Sequence, residues 1–311
     1  MSANVVLYLT IQSFTLSSVH KEWIRQAVIR TLDQQRLIIV VTWPESLGNY
    51  NWQILQTLLG NIYVVQLTTA YDHGKPLFEC NIILEPLSGY NIALEPNWSS
   101  FLCSQQDRPQ LENWNNRRAI ASLPTCNIDV LVDDNAKIPF TEVADKNNKP
   151  WETFRHVALG GTFDHLHAGH KILLTMAALC TTTRLVVGVT DDEMLKNKKY
   201  REYIASVQDR IENVRQYLHM IKRGITYEVV PISDPFGPTI TDPTIEALIC
   251  SHETLKGGEA VNRERSKLDF PALELRTIDV IAPDNASVQE KDMMLKISST
   301  WIRQYLAEHR A

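Results

Sequence analysis

The sequence predicts an α/β fold: a doubly wound parallel sheet preceded by an N-terminal α/β domain. Three observations carry that expectation. Short β-branched runs alternate with helical patterns along the 311 residues. The runs are apolar at successive positions, as strands covered by helices on both faces must be. A polar, charged stretch from Thr141 to Glu152, containing Pro150, interrupts the alternation. The domain boundary is placed there, giving an N-terminal domain over 1–145 and a second domain over 153–311.

In the first half the strand candidates are VVLYLTI (5–11), LIIVVTW (37–43), IYVVQLT (62–68), CNIILEP (80–86) and DVLVDD (129–134). A helix is expected from near Ser18, with Trp23, Ala27 and Leu32 on one face. In the second half, strand HVALGGTF (156–163) leads into a helix beginning near Ala168, and strand RLVVGVT (184–190) into a basic loop. The next helix carries Val207, Ile211, Val214, Leu218 and Ile221 on one stripe. Ser206, three residues before Asp209, is its expected N-cap. Strands ITYEVVPI (225–232), ALICS (247–251) and LELRTIDVI (273–281) follow, with a polar helix after the second and a last helix from about Ser299. This order suits a doubly wound sheet with right-handed crossovers. No repeat or low-complexity segment stands out.

Composition narrows the function classes. Hydrophobic residues make up 44%, enough for a sizeable core, and the net charge is −5. That balance argues against a nucleic-acid partner, which needs a basic face. No apolar run approaches the ~18 residues that span a bilayer, so no membrane partner is expected. The N-terminus MSANVVLYLTIQS lacks the basic segment of a secretory signal. Five cysteines occur without a C-x-x-C pair. They read as reduced, mostly buried thiols of a cytoplasmic protein.

The chemistry concentrates in GGTFDHLHAGH, Gly160 to His170. It sits between a strand and a helix, where open α/β sheets bind ligands. Gly160, Gly161 and Gly169 allow close backbone approach. His167 and His170 share a face on a helical first turn. Free N–H groups there favour phosphate. A metal site built from His165, His167 and His170 is one competing reading, without a Cys or acidic cluster to support it. A Rossmann dinucleotide loop is a second, but G-x-G-x-x-G is absent; a purely structural role for the two histidines is a third. Late in the chain stands ISSTWIR, Ile297 to Arg303. Ser298 or Ser299 can cap the last helix, with Arg303 one turn along. A plain helix cap with a solvated arginine is the alternative. MLKNKKYRE places Lys196, Lys198 and Lys199 in a basic loop, which from the residues alone reads as a solvated charge run.

GGTFDHLHAGH resembles the T/H-x-G-H signature of the nucleotidyltransferase superfamily, and ISSTWIR resembles its I-S-S-T-x-x-R motif. The block from Asp234 to Arg265 is similar to the eukaryotic and archaeal type of pantetheine-phosphate adenylyltransferase, in a monofunctional, fungal-like form. That type shows S-E-E-T, then G-G and V-N-x-x-R. Here Ser251, Glu253, Thr254, Gly257, Gly258, Asn262 and Arg265 match, while His252 departs from the usual Glu. The resemblance covers about Phe154 to Ala311 and implies a Rossmann-like catalytic domain. It implies transfer of AMP from ATP to 4′-phosphopantetheine, giving dephospho-coenzyme A and pyrophosphate, with Mg²⁺ accompanying the nucleotide. It also implies site residues. His170 would act at the α-phosphate, and Gly160, Gly161, Thr162, Phe163, His167, Gly169, Gly258 and Arg265 would line the ATP site. Ser298, Ser299, Thr300 and Arg303 would hold the β/γ end. Thr162, Lys196, Lys198 and Lys199 would serve the acceptor phosphate. Asp164 and Asp191 receive no role. The alternatives are nicotinamide mononucleotide as acceptor, or an inactive nucleotide sensor. The chain ends eight residues past Arg303, so no fused kinase domain is expected. Other coenzyme A pathway enzymes or a second copy of the chain are possible partners. Residues 1 to about 145 are expected to contribute no catalytic group.

Overall fold

The computed structural model describes residues 4–33, 36–132, 151–278 and 298–309. The chain divides into two compact units, Met1–Pro150 and Trp151–Ala311. Among the described residues, no helix is long and apolar enough to cross a membrane. All five cysteines are buried and none forms a disulfide.

The first unit contains β1 (Asn4–Thr10), α1 (Ser18–Thr31), β2 (Arg36–Thr42), α2 (Trp52–Asp72), β3 (Cys80–Leu84), β4 (Trp98–Cys103), α3 (Arg108–Ile120) and β5 (Asn127–Val130). Its five strands are parallel, in the order β3-β2-β1-β4-β5. Five consecutive residues inside β1, and five inside β2, are buried. Such strands are apolar at every position because helices cover both faces.

One expected strand is a correction. IYVVQLT (62–68) lies inside α2. Asn51 caps that helix, its Oδ1 accepting from the Ile54 N–H at 2.8 Å. No proline or glycine pair breaks the following 21 residues. Ile62, Tyr63, Val64 and Val65 are all buried, so the helix is apolar nearly all round and imitates a covered strand. Strand β4 and helix α3 were not anticipated. In α3 only Leu111, Trp114 and Arg118 are buried, which is too sparse a stripe to read from sequence.

The second unit contains β6 (Phe154–Gly161), α4 (Ala168–Cys180), β7 (Thr181–Thr190), α5 (Val207–Ile221), β8 (Thr226–Ile232), β9 (Ala247–Ser251), α6 (Leu255–Lys267), β10 (Glu274–Ile278) and α7 (Ser299–His309). Each falls where a run or stripe was expected. Residues 279–281 of the last strand candidate, Ile297, and residues 141–150 of the boundary stretch lie outside the described residues. The Ser206 Oγ accepts from the Asp209 N–H at 3.2 Å, capping α5 as its sequence predicts. The strands are again parallel, ordered β10-β9-β6-β7-β8. The chain therefore turns from one side of the sheet to the other between β6 and β9. That switch point opens a crevice at the carboxyl ends of these strands, and the motif residues follow β6.

Candidate active site

The site begins where β6 ends. Gly160 pairs with Gly188 of β7, and the chain then turns through Thr162, Phe163, Asp164 and His165 before α4. Phe163 and His165 both have left-handed backbone, φ 49° and 47°. Two such non-glycine residues in four mark a strained turn held by its surroundings. Asp164, between them, is fully buried. Its Oδ2 accepts from Arg303 Nη1 at 2.7 Å. Its carbonyl accepts from Ser299 Oγ at 2.9 Å. The N-terminus of α7 is thereby tied to the loop that feeds the N-terminus of α4. Both helix ends turn partial positive charge and spare N–H groups to the same loop.

His167 is the N-cap residue of α4 and makes no capping bond through its side chain. The first-turn N–H groups thus have no side-chain acceptor at the cap. The His167 and His170 rings stack with centroids 4.0 Å apart. A Cβ at position 169 would meet the His167 ring at 3.1 Å, so glycine there is what lets the ring lie over the helix end. Burial, reinforced by Lys171 and His165, pushes the His167 pKa down to about 4. Burial, reinforced by His167, also holds His170 well below its ordinary value. Both imidazoles are neutral at pH 7. They present N–H donors to an anion without the cost of burying two like charges side by side.

The structure distinguishes the three lysines. Lys198 Nζ donates to Thr162 Oγ1 at 3.0 Å. Partial burial and the nearby Arg303 and Arg210 charges lower its pKa. Lys196 is exposed and paired with Glu193. Lys199 contributes its carbonyl, which accepts from Arg303 Nε at 3.1 Å, while its side chain is exposed. Only Lys198 therefore joins the loop through its ammonium group.

Two arginines are corrected. The resemblance implies an ATP contact for Arg265, yet its side chain is fully buried. Its Nε donates to the Pro271 carbonyl at 2.7 Å, and its other nitrogens to the carbonyls of Thr239, Asp242, Pro243 and Ile245. The guanidinium clamps the chain around β9 and is unavailable to phosphate. The resemblance implies that Arg303 holds the β/γ end. It is 2% exposed and is committed to Asp164, Lys199 and Thr300. It braces the cradle from behind. The α7 hydroxyls also work internally: Ser298 Oγ accepts from the Trp301 N–H at 3.3 Å, Ser299 binds the Asp164 carbonyl, and Thr300 accepts from Arg303. What this end offers a phosphate is its N–H groups.

Two functional residues escaped the sequence reading. Asp164 had no assigned role and is the centre of the brace. Arg210, fully buried on α5, donates through Nη1 to the carbonyls of Thr162 and Thr190, each at 2.8 Å. It fixes the backbone of the residue that Lys198 touches. No local motif announces it.

A cavity of about 270 Å³ adjoins the cradle. It runs from Gly160 and Gly161 past Met194, Phe236 and Cys250 to Gly258 and Val261, and its walls are mainly apolar. Gly258 is a packing residue as well as a wall: a Cβ there would lie 3.1 Å from Cys250 Sγ. Among the described residues no group of three His, Cys, Asp or Glu side chains is placed to hold a metal ion.

Residues 158–305 match the cytidylyltransferase-like family. The phosphopantetheine adenylyltransferase of Saccharomyces cerevisiae is 32% identical over 97% of this chain and 92% of its own length. An uncharacterized protein of Schizosaccharomyces pombe is 35% identical over 82% of this chain and 80% of its own. The phosphopantetheine adenylyltransferase of Pyrococcus abyssi is 35% identical over 48% of this chain and 89% of its own. A relative 32% identical over nearly the whole of both chains shows that the chain belongs to the phosphopantetheine adenylyltransferase family.

Proposed function

We propose that this protein transfers AMP from ATP to 4′-phosphopantetheine, releasing pyrophosphate and forming dephospho-coenzyme A. The observation that carries the reading is the Lys198–Thr162 contact of 3.0 Å, next in the chain to Gly161, which lines an apolar cavity. It puts a cation and a hydroxyl where an acceptor phosphate would lie, with room behind for an uncharged arm. The acceptor phosphate is already ionised at pH 7, so no general base is needed. One of its oxygens bonds to the α-phosphorus of ATP, and the bond from that phosphorus to the β-bridging oxygen breaks. Pyrophosphate leaves with the electron pair. Catalysis then consists of alignment and charge stabilisation.

In this reading Lys198 offsets repulsion between the two anions, and Thr162, its backbone fixed by Arg210, orients the acceptor. His170 donates to the α-phosphate as charge grows there. His167 and the first-turn N–H groups of α4 and α7 hold the remaining phosphates. Lys196, Lys199, Arg265 and Arg303 act on structure. ATP would arrive as its Mg²⁺ complex. The two carboxylates tied to the loop and its braces, Asp164 and Asp192, are taken up by Arg303 and Arg210. The described residues do not make a protein site for the ion, which the phosphates and water would hold. Buried cysteines outside any disulfide suit a cytosolic setting.

The deciding measurement is pyrophosphate release from ATP by the purified protein. It should require 4′-phosphopantetheine. Equal or faster release with nicotinamide mononucleotide would overturn the acceptor.

A further inference from the structure

We infer that residues 4–132 are a second copy of the same nucleotidyltransferase unit, with its ligand cavity filled and its phosphate cradle dismantled. The two sheets have the same strand order once each is counted from its own first strand. The likeness extends to side chains. Leu9, Leu16, His20, Lys21, Ala27 and Thr31 recur at unchanged spacing as Leu159, Leu166, His170, Lys171, Ala177 and Thr181. His20 is the third residue of α1 and His170 the third of α4. The Thr31 Oγ1 donates to the Ala27 carbonyl and the Thr181 Oγ1 to the Ala177 carbonyl, both at 2.7 Å.

A second block repeats more closely. Cys103, Ser104, Asn115, Arg118 and Pro124 recur at one spacing as Cys250, Ser251, Asn262, Arg265 and Pro271. Helices α3 and α6 both have 13 residues. Asn115 exchanges two hydrogen bonds with the backbone of Cys126, as Asn262 does with Leu273. Arg118 and Arg265 are both fully buried. Their Nε atoms donate to the carbonyls of Pro124 at 2.8 Å and Pro271 at 2.7 Å, and their Nη1 atoms to carbonyls of the segment before β4 or β9. The turn that follows holds a left-handed residue at the matching place, Ser122 at φ 57° and Asp269 at φ 54°. Independent sheets of one topology have no reason to share a buried Asn–Arg clamp and a strained turn in register. The repeat escapes sequence inspection because its identities are sparse and lie mostly on the scaffold.

The ligand-facing positions are the ones that differ. Ala158, Leu248, Gly258 and Val261 line the cavity of the second copy. Their counterparts are Tyr8, Phe101, Leu111 and Trp114, all larger and all buried. The Trp114 ring packs edge-on against Tyr8 at 5.1 Å and Phe101 at 5.7 Å. Gly160 and Thr254 also line that cavity; their counterparts Thr10 and Asp107 are hydrogen-bonded to each other at 2.6 Å. A carboxylate thus stands where an anionic ligand would enter. Gly160, Gly161 and Gly169 become Thr10, Ile11 and Val19, and His167 becomes Ser17. Ser17 and His20 cap α1 reciprocally, consuming donors that α4 leaves uncapped. The loop between β2 and α2, residues 43–51, contains no lysine. Every change removes room, flexibility or positive charge.

The test uses the full chain. Hydrogen exchange and calorimetry are read with Mg²⁺ and α,β-methylene-ATP, and again with 4′-phosphopantetheine. One molecule of each per chain is expected, with protection confined to residues after 151. His20→Ala should keep the parental kcat. A second bound nucleotide, or protection within 8–20 or 101–114, would overturn the inference. If neither half bound nucleotide, the proposed function would fall and a second measurement would decide this one. Arg118→Ala should speed exchange in residues 119–126, and Arg265→Ala in residues 266–273, each by more than tenfold and each without affecting the other turn. Parental exchange in residues 119–126 of Arg118→Ala would refute a shared clamp.

Discussion

The ammonium group of Lys198 donates to the hydroxyl of Thr162 across 3.0 Å, joining the loop after β7 to the turn after β6. Neighbouring Lys196 is spent on Glu193 at the surface. Sequence offers three equivalent lysines; the fold separates them. Lys198→Ala should raise the KM for 4′-phosphopantetheine and lower kcat, together cutting kcat/KM by about 10²-fold or more, the scale of losing a preorganised charge contact. Lys196→Ala should stay within a few-fold of the parent. Steady-state kinetics on the two variants checks both, and equal effects would mean that the loop acts only through its summed charge.

His170→Ala should lower kcat by about 10²-fold, as loss of a transition-state donor does. Binding of Mg²⁺–ATP should change far less. A variant with weak ATP binding and parental kcat would place His170 in ground-state binding alone.

The depressed imidazole pKa values give a pH prediction. In the unfolded chain His167 takes a proton near pH 6.5, while in the folded protein it does so only near pH 4. Between those values the unfolded state binds more protons, so stability falls as pH falls through the window. His167→Asn, which cannot titrate, should make the fall of the urea midpoint between pH 6.5 and 4 shallower by this group's share, up to about 3 kcal/mol, while the share of buried His170 remains. Identical pH profiles for parent and variant would show that His167 is solvated and ordinary.

Arg265→Ala should destabilise by roughly 3–5 kcal/mol, the scale of breaking a buried polar network. Carbonyls from Thr239 to Pro271 lose their donor at once. Below its unfolding temperature, the variant should keep a near-parental KM for ATP. A large KM rise in a stably folded variant would return Arg265 to the ligand.

What sequence makes legible is what short range determines. The turn GGTFDHLHAGH declares itself because glycines, a strand end and paired histidines lie within eleven consecutive residues. The α5 stripe declares itself because burial there follows helical period. Helix α2 misleads because a helix buried nearly all round has no polar face to report its period. Arginines mislead for another reason. Arg265 and Arg303 carry the charge a phosphate needs, but whether a guanidinium faces a ligand or a set of carbonyls depends on residues tens of positions away. Asp164 was passed over on the same ground: its partner is on α7, far along the chain.

The Asp164–Arg303 pair permits the sharpest separation of folding from function. Both side chains are buried, and a buried charge left without its partner costs far more than the intact pair contributes. Asp164→Asn keeps the shape and removes the charge, so Arg303 is left uncompensated. The unfolding midpoint in urea should fall by the equivalent of about 3–5 kcal/mol. The site should suffer too, because Arg303 also grips the Lys199 carbonyl and the Thr300 hydroxyl while Asp164 accepts from Ser299 through its backbone. KM for ATP should rise and kcat fall even where the variant remains folded. The double variant Asp164→Leu with Arg303→Met removes both charges and refills the space with apolar atoms. It should recover most of the lost stability, as apolar replacements of buried ion pairs often do. It should not recover activity, since the guanidinium that joins Asp164, the Lys199 carbonyl and Thr300 is gone, and the lysine loop and the end of α7 keep only the Lys198–Thr162 contact and the bond from Ser299 to the residue-164 carbonyl. Recovery of both together would mean that the pair serves stability alone; recovery of neither would mean that the turn depends on the Asp164 carboxylate itself.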